Sequence, residues 1–309
     1  MPAFQRLAWW TTATTYLLIL VGGLVRASGA GLGCPDWPRC FGSWIPPASA
    51  AALPAAFDPS QFNPTLMWTE YLNRLLGVTV GLLVFATLIA AIRHHRRVPA
   101  ILWPTVAAFL LTGFQGWLGG RVVAHELAAW IVTLHLLVAL VIVSLLLYAT
   151  LYAFYRLDPA NRPRHVRDVP DIQRQLAWGT MVLIVVTLVQ VTIGAQVRGG
   201  VDEAMDGGTP RADALATVGA IDGWHRDTAA VIVGGASLLA FLVVRHAGLP
   251  RPVVRAAAVM CGLVVVQVLV GASMAYLTLT PPLQVAHLTA SSLILGSQTV
   301  LFLLARWLR

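Results

Sequence analysis

The sequence predicts an all-α integral membrane protein with eight transmembrane helices, arranged as two tandem four-helix bundles related by a pseudo-twofold axis along the membrane normal. The first observation is composition: the mean hydropathy is +0.75, 58% of the residues are hydrophobic and only 11% are charged. Soluble domains carry about 25% charged residues, so lipid must surround most of these side chains. The second observation is an internal repeat, in which polar and glycine positions recur at a fixed distance along the chain.

Eight apolar segments are each long enough to cross a bilayer as a helix. They run at about 7–25, 67–92, 100–119, 127–154, 175–197, 224–244, 253–278 and 283–305. All 21 basic residues are arginines, so their distribution predicts the orientation of the chain rather than a surface for nucleic acid.

If the N-terminus is cytoplasmic, 14 arginines lie in the inner segments and seven in the outer segments. The inner ones are Arg6, Arg93, Arg96, Arg97, Arg156, Arg162, Arg164, Arg167, Arg174, Arg245, Arg251, Arg255, Arg306 and Arg309. The outer ones are Arg26, Arg39, Arg74, Arg121, Arg198, Arg211 and Arg226. This excess obeys the positive-inside rule and predicts that both termini are cytoplasmic.

The repeat has an offset of 152 residues across three helix pairs. It aligns Glu70 with Asp222, Asn73 with His225, Arg74 with Arg226, Gln115 with Gln267, Gly119 with Gly271, and His135 with His287. Between the first and fifth helices the offset is 172, because the first outer loop carries about twenty extra residues. Four helices per repeat give both halves one orientation. We therefore divide the chain into an N-terminal half (1–155), a cytoplasmic linker (156–174) and a C-terminal half (175–309).

Three histidines lie within predicted helices near their outer ends. His135 is about a third of the way into the fourth helix, His225 opens the sixth, and His287 lies near the start of the eighth. A single histidine there can simply bind a headgroup or a carbonyl oxygen. However, polar groups in a span are costly, and His225 and His287 lie in one half at similar depth. This arrangement suits two axial ligands of one haem iron inside a helix bundle.

Glu70, Asn73 and Arg74 share one face of the second helix because they are three and four residues apart. One interpretation is an ion pair between Glu70 and Arg74. Another is that the arginine, and Arg226 in the other half, bind haem propionates, while Glu70 moves protons or stabilises positive charge beside a haem edge.

Cys34 and Cys40 lie in the first outer loop around Pro-Asp-Trp-Pro-Arg. Conditions outside the membrane are oxidising, so a disulfide is predicted. A structural staple and a redox-active pair both remain open.

These residues resemble the bacterial type of haem A synthase along essentially the whole chain. The most specific stretch is 22–40, which ends in Gly-Cys-Pro-Asp-Trp-Pro-Arg-Cys and is followed by Gly42-Ser43 and Ile45-Pro46-Pro47. The family also has eight helices in two halves, a Glu-x-x-His-Arg motif on the second helix, and histidines on the fourth, sixth and eighth. Here the motif reads Glu-Tyr-Leu-Asn-Arg, so Asn73 stands where the family usually has histidine.

The resemblance implies that His225 and His287 hold a haem b prosthetic group in the C-terminal half. The N-terminal half would take haem O as substrate and oxidise its C8 methyl to a formyl group for cytochrome oxidase assembly. Glu70 would be the catalytic carboxylate, His135 the substrate-side iron ligand, and Cys34 with Cys40 the first-loop pair. The family's second cysteine pair, between the fifth and sixth helices, is absent here.

The same resemblance implies a bacterial inner or plasma membrane and a haem O synthase as supplier of the substrate. It leaves the electron acceptor and any homo-oligomer open. One alternative is a non-catalytic haem-binding or electron-transfer protein whose substrate site is degenerate at Asn73. Another is a transporter, but ionisable residues gather at the outer face rather than at the midplane, which disfavours it.

Overall fold

The computed structural model describes residues 3–157, 170–246 and 248–307, and these residues are almost entirely helical. Eight helices in them are long and apolar enough to span a membrane, as the sequence predicts. They are α1 (Ala3–Ala27), α2 (Pro64–His95), α3 (Pro99–Ala124), α4 (Ala129–Tyr152), α5 (Pro170–Asp206), α6 (Ala220–Arg245), α7 (Arg251–Tyr276) and α8 (Pro281–Trp307). A single π-turn, Ala153–Leu157, extends α4.

Local sequence explains where several helices begin. Proline is the first residue of α2, α3 and α8, where its missing N–H costs nothing and its fixed φ suits a helix. Asn63 caps α2, because its Oδ1 accepts hydrogen bonds from the backbone N–H groups of Thr65 and Leu66. Short 3₁₀ turns fill the long loop between α1 and α2.

Several helix boundaries differ from the sequence prediction. α5 continues to Asp206, although the apolar segment ends near 197, because the polar residues that follow bind one another at the outer surface. α6 and α8 begin a few residues before their apolar segments, so His225 and His287 lie in the second turn rather than at the helix start. The predicted linker 156–174, with Arg162, Arg164, His165 and Arg167, lies mostly outside the described residues.

The helices pack in a pattern that repeats from one half to the other. α1 packs on α2, α2 on α3, α3 on α4 and α1 on α4, and the equivalent pairs among α5–α8 also pack. Between the halves, α1 contacts α8, α4 contacts α5, and α4 contacts α8. α8 is the most buried of the eight. This pairing agrees with the predicted pseudo-twofold arrangement, in which α4 and α8 lie next to the axis.

A polar cluster joins the halves at their outer ends. Arg26 at the end of α1 and Arg198 on α5, which are equivalent in the repeat, both bind Asp202. The Arg26 Nη2 to Asp202 Oδ2 distance is 2.7 Å, and the Arg198 Nη2 to Asp202 Oδ1 distance is 2.6 Å. Arg198 also donates to Gln284 of α8 at 2.6 Å. One carboxylate therefore neutralises an arginine from each half.

We expect Asp202→Asn to lower the free energy of unfolding by about 1–2 kcal/mol, because two half-buried guanidinium groups lose their counter-charge. The check is thermal unfolding of purified protein in lipid nanodiscs. Glu203→Gln is the matched control, since Glu203 is the neighbouring exposed acid. Equal stabilities of the two variants would show that the cluster does not hold the halves together.

Candidate functional site

Each helix-embedded histidine packs against a glycine of a neighbouring helix. A methyl group on Gly194 would lie 2.8 Å from Cε1 of His225. The same group on Gly271 would lie 3.1 Å from His287, and on Gly119 it would lie 3.5 Å from His135. The glycines on α5 and α7 therefore make room for the imidazole rings on α6 and α8, whereas a methyl group on Gly119 of α3 would be in ordinary van der Waals contact with His135.

A glutamine one turn before each glycine contacts the same histidine. Gln115 and Gln190 donate from Nε2 to the backbone oxygens of His135 and His225, both at 2.8 Å. Gln267 Nε2 lies 3.0 Å from Nε2 of His287. Gln190 is not among the site residues that the sequence predicts. The signal that finds it is the spacing Gln-x-x-x-Gly, which recurs on α3, α5 and α7 and places both side chains on one helix face.

These histidines and glutamines, together with Asn73, carry most of the buried side-chain polar atoms that lack a hydrogen-bond partner in the described residues. Seven of these eleven atoms belong to them: Nδ1 of His135, His225 and His287, Oε1 of Gln115, Gln190 and Gln267, and Oδ1 of Asn73. Such atoms are rare in folded proteins because each costs free energy when it has no partner. Their concentration makes these positions candidates for binding a further group.

His225 and His287 face each other across the C-terminal half. Their ring centroids are 6.2 Å apart with an angle of 53° between the ring planes. Two imidazoles on opposite sides of one metal, with bonds of about 2 Å each, have centroids about 6 Å apart. Among the described residues no cluster of three or more histidine, cysteine or acidic side chains could hold a bare metal ion. Two facing imidazoles at this separation suit the axial positions of a metal whose other ligands come from a macrocycle, as in haem.

Glu70 and Arg74 form the ion pair that one interpretation of the sequence predicts. Arg74 donates from Nη2 to Glu70 Oε1 at 2.5 Å and from Nε to the same oxygen at 3.1 Å. Glu70 Oε2 accepts the backbone N–H of Cys34 at 2.8 Å. Glu70 is only 4% exposed, and it is the one charged side chain classed as buried among the described residues.

The remaining donors of Arg74 bind the first outer loop. Nη1 donates to the backbone oxygens of Asp36 and Arg39, both at 2.8 Å, and Nη2 donates to that of Cys34 at 3.2 Å. A guanidinium has five N–H groups, and these contacts occupy all five. The geometry therefore does not favour the expected binding of a haem propionate by Arg74, which instead fastens the loop onto α2.

The equivalent ion pair in the C-terminal half, between Asp222 and Arg226, is more exposed. Arg226 binds Asp222 through Nε at 2.8 Å and through Nη2 at 2.7 Å, and it donates from Nη1 to the Tyr276 hydroxyl at 3.0 Å. Its side chain is 45% exposed, against 15% for Arg74. Two of its five N–H groups have no partner in the described part of the chain, so Arg226 can still bind a carboxylate.

Cys34 and Cys40 form a disulfide, as predicted. The two cysteines are 0% and 1% exposed and pack with Phe41 and Met67. Asp36 closes the loop by accepting the backbone N–H groups of Phe41 at 2.6 Å and Gly42 at 2.9 Å. A buried disulfide resists thiol exchange because the attacking thiolate cannot reach a sulfur atom. The geometry thus favours a structural staple.

Glycines let this loop lie close to the helices. A side chain on Gly33 would clash with the backbone of Leu66 on α2, and a side chain on Gly120 would meet the Trp37 ring. Trp37 therefore covers α3 beside Gly119, which itself packs on His135. The loop forms the outer cover of the N-terminal half.

Comparison with known proteins gives consistent matches. The sequence model of the family COX15-CtaA, described as Cytochrome oxidase assembly protein, matches residues 5–299. Heme A synthase of Shewanella oneidensis is 31% identical over 190 residues, which cover 60% of this chain and 53% of that protein. Heme A synthase of Cereibacter sphaeroides (strain ATCC 17029) is 30% identical over 209 residues, covering 59% and 51%.

Heme A synthase of Bradyrhizobium sp. (strain ORS 278) is 29% identical over 314 residues, covering 88% of this chain and 82% of that protein. The match to the first two relatives thus spans about half of their length, and the match to the third spans most of it.

We expect thiol reagents to label Cys34 and Cys40 only after reduction, in a Cys261→Ala background that removes the free cysteine. Arg74→Ala should speed reduction of the disulfide by about tenfold or more, because the loop loses its fastening and the sulfur atoms become accessible. The rate is followed by mass-tag labelling over time.

Arg226→Ala is the matched control, because Arg226 is the equivalent residue in the half without the loop. Equal reduction rates in the two arginine variants would contradict the role given to Arg74.

Proposed function

Because the chain belongs to the cytochrome oxidase assembly protein family, we propose that it is a haem A synthase, which converts haem O to haem A in a bacterial cell membrane. The family match over residues 5–299 carries this proposal. The opposed imidazoles of His225 and His287 support it, because they provide the iron ligands that such an enzyme needs.

The C-terminal half would hold a resident haem b. His225 and His287 would bind its iron, and the glycines at 194 and 271 leave space for both imidazole rings. Arg226 suits a propionate because it is exposed, planar and retains two N–H groups in the described structure. When bound, this group supplies one-electron redox chemistry.

The N-terminal half would bind the substrate haem O beside His135, Asn73 and Glu70. Glu70 keeps a buried negative charge at this half, held by Arg74 and the Cys34 N–H. A fixed, buried carboxylate can accept a proton or stabilise positive charge that develops on the substrate. The reaction oxidises the C8 methyl of haem O to a formyl group. With water as the source of the formyl oxygen, this change releases four electrons and four protons, so the reaction needs an electron acceptor. It also needs a supplier of haem O, for which a haem O synthase is the natural partner.

The division into halves 1–155 and 175–309 and the cytoplasmic placement of both termini belong to the same proposal. The excess of arginine on one side supports this orientation, with Arg93 and Arg306 in the last turns of α2 and α8. All three histidines then lie near the outer face, where the disulfide loop also meets oxidising conditions.

A second function has one observation in its favour. Asn73 replaces an expected imidazole, which suits a haem-binding or electron-transfer protein that has lost substrate chemistry. The two functions differ in one product: only the enzyme forms haem A.

His225→Ala and His287→Ala should each abolish the low-spin haem spectrum of the C-terminal half, because iron loses one of two strong axial ligands. Visible and electron paramagnetic resonance spectra of purified protein test this expectation. His246→Ala is the control, since His246 lies at the C-terminal end of α6, away from both sites. An unchanged low-spin signal in either site variant would rule out the ligand pair.

Cells that supply haem O and express the protein should yield haem A, and Glu70→Gln should reduce that yield by about a hundredfold while the His225–His287 haem stays in place. The amide keeps the size of the carboxylate but loses its charge and basicity. Haem extraction with chromatography measures the product, and the spectrum of the retained haem reports the fold.

Asp222→Asn is the matched control for Glu70→Gln, because it makes the same change at the equivalent position. No haem A from the wild type with haem O bound would favour the second function. A normal yield from Glu70→Gln would remove Glu70 from the mechanism.

A further inference from the structure

The repeat provides four equivalent places for a glutamine, a glycine and a histidine, and one of the four is different. Three groups are complete: Gln115, Gly119 and His135; Gln190, Gly194 and His225; Gln267, Gly271 and His287. The fourth group is Leu18, Gly22 and Asn73. Leu18 and Gly22 lie 172 residues before Gln190 and Gly194, and Asn73 lies 152 residues before His225. Both the glutamine and the histidine are replaced, whereas the glycine is kept.

The replacement leaves open space at the fourth place. A methyl group on Gly22 would meet no atom within 4 Å, whereas the imidazole of His225 fills the equivalent space at Gly194. Oδ1 of Asn73 is buried and has no hydrogen-bond partner in the described structure. Leu18 is partly buried and packs with Val80 and Val84, so it adds an apolar wall.

No other strong iron ligand in the described residues takes the place of the missing imidazole. Met67, two turns along α2, is fully buried against Cys34 and Phe41 under the disulfide loop. Tyr71 donates its hydroxyl proton to the Trp44 backbone oxygen at 2.8 Å. Cys34 and Cys40 are joined to each other.

The other imidazoles of this half are placed elsewhere: His94 and His95 lie in the last turn of α2. His125 follows α3 as its C-cap, where its Nε2 lies 2.8 Å from Arg121 Nη2 and its ring packs against Trp130. His135 is therefore the helix-embedded imidazole that the N-terminal half offers as a ligand.

We propose that the N-terminal half binds haem iron through His135 alone, and that the space lined by Leu18, Gly22 and Asn73 is a binding site for a diatomic ligand of ferrous iron, of the carbon monoxide and dioxygen class. This proposal rests on the proposed function, which places a haem in this half.

The chemistry of the lining supports this ligand class. A side-chain amide is a much weaker iron ligand than imidazole, and it is also shorter, so it leaves the sixth coordination position free. The polarity, the hydrogen-bond donors and the access on that side decide whether a haem binds such a ligand. Here a leucine and a glycine provide apolar space, and the Asn73 amide provides one donor for the outer atom of the ligand. The C-terminal half has imidazoles on both sides and should not bind it.

The experiment uses purified protein with both haems bound, reduced with dithionite and titrated with carbon monoxide. We expect one of the two haems per chain to bind carbon monoxide, and the oxidised protein to show one high-spin and one low-spin signal in electron paramagnetic resonance. His135→Ala should remove the carbon monoxide complex and keep the low-spin signal of the C-terminal half.

Two variants are designed to exchange the iron ligation of the two halves. The double variant Leu18→Gln with Asn73→His should complete the fourth group, convert the high-spin signal to low spin and weaken carbon monoxide binding by tenfold or more. His225→Asn is the matched control, because it creates the same opening in the C-terminal half and should give that haem a carbon monoxide complex. Asn73→Leu should keep the complex but raise its C–O stretching frequency, because the hydrogen bond is lost.

The proposal is overturned if the wild type carries two haems and neither binds carbon monoxide, if it carries one haem that is inert to carbon monoxide, or if the double variant binds it as tightly as the wild type. These results are independent of product formation. Haem A formation without carbon monoxide binding would leave the enzyme function standing and refute the open site. Carbon monoxide binding at one of two haems without haem A formation would support the open site and count against the enzyme function.

Discussion

A bilayer offers no hydrogen bonds to an imidazole or an amide inside a transmembrane helix, so each such group needs a protein partner or a bound cofactor. This constraint explains the recurring association of a glutamine, a glycine and a histidine on neighbouring helices. The glutamine gives the histidine a polar contact, as at Gln190 and His225, and the glycine removes the Cβ that would collide with the ring. The Nδ1 atoms have no hydrogen-bond partner in the described structure.

The same constraint explains how much of the fold the sequence predicts. Apolar length alone locates all eight helices, because a helix satisfies its backbone hydrogen bonds within one continuous segment and so can cross lipid. Apolar length does not predict where the helices end. Hydropathy places the end of α5 before Arg198, yet the helix continues to Asp206 because Asp202 neutralises Arg198 and Arg26. Each of these charged residues, taken alone in the sequence, indicates the end of a membrane span. In the folded protein they neutralise one another in a polar cluster.

The site is predictable where its residues are close in sequence and less so where they are distant. The pairing of Glu70 with Arg74 follows from helix geometry, and the pairing of the two loop cysteines follows from their environment. The attachment of Arg74 to three backbone oxygens of the loop does not, because backbone carbonyls carry no sequence signal. Gln190 is not predicted because its equivalent in the first helix, at the offset of 172, is Leu18 rather than a glutamine.

Duplication by itself gives two equal halves, so the chemical difference between the two proposed haem sites must come from what was inserted or replaced. About twenty extra residues in the first loop cover the outer end of α2, and they turn Glu70 into a buried carboxylate while the equivalent Asp222 stays partly solvated. The replacements at Leu18 and Asn73 fall in the same half and open one side of its site. Burial strengthens electrostatic interactions, and an open iron coordination position permits ligand exchange. On the proposed function, both changes would make the N-terminal half the reactive one, whereas the paired imidazoles of the C-terminal half would suit a resident haem that only transfers electrons.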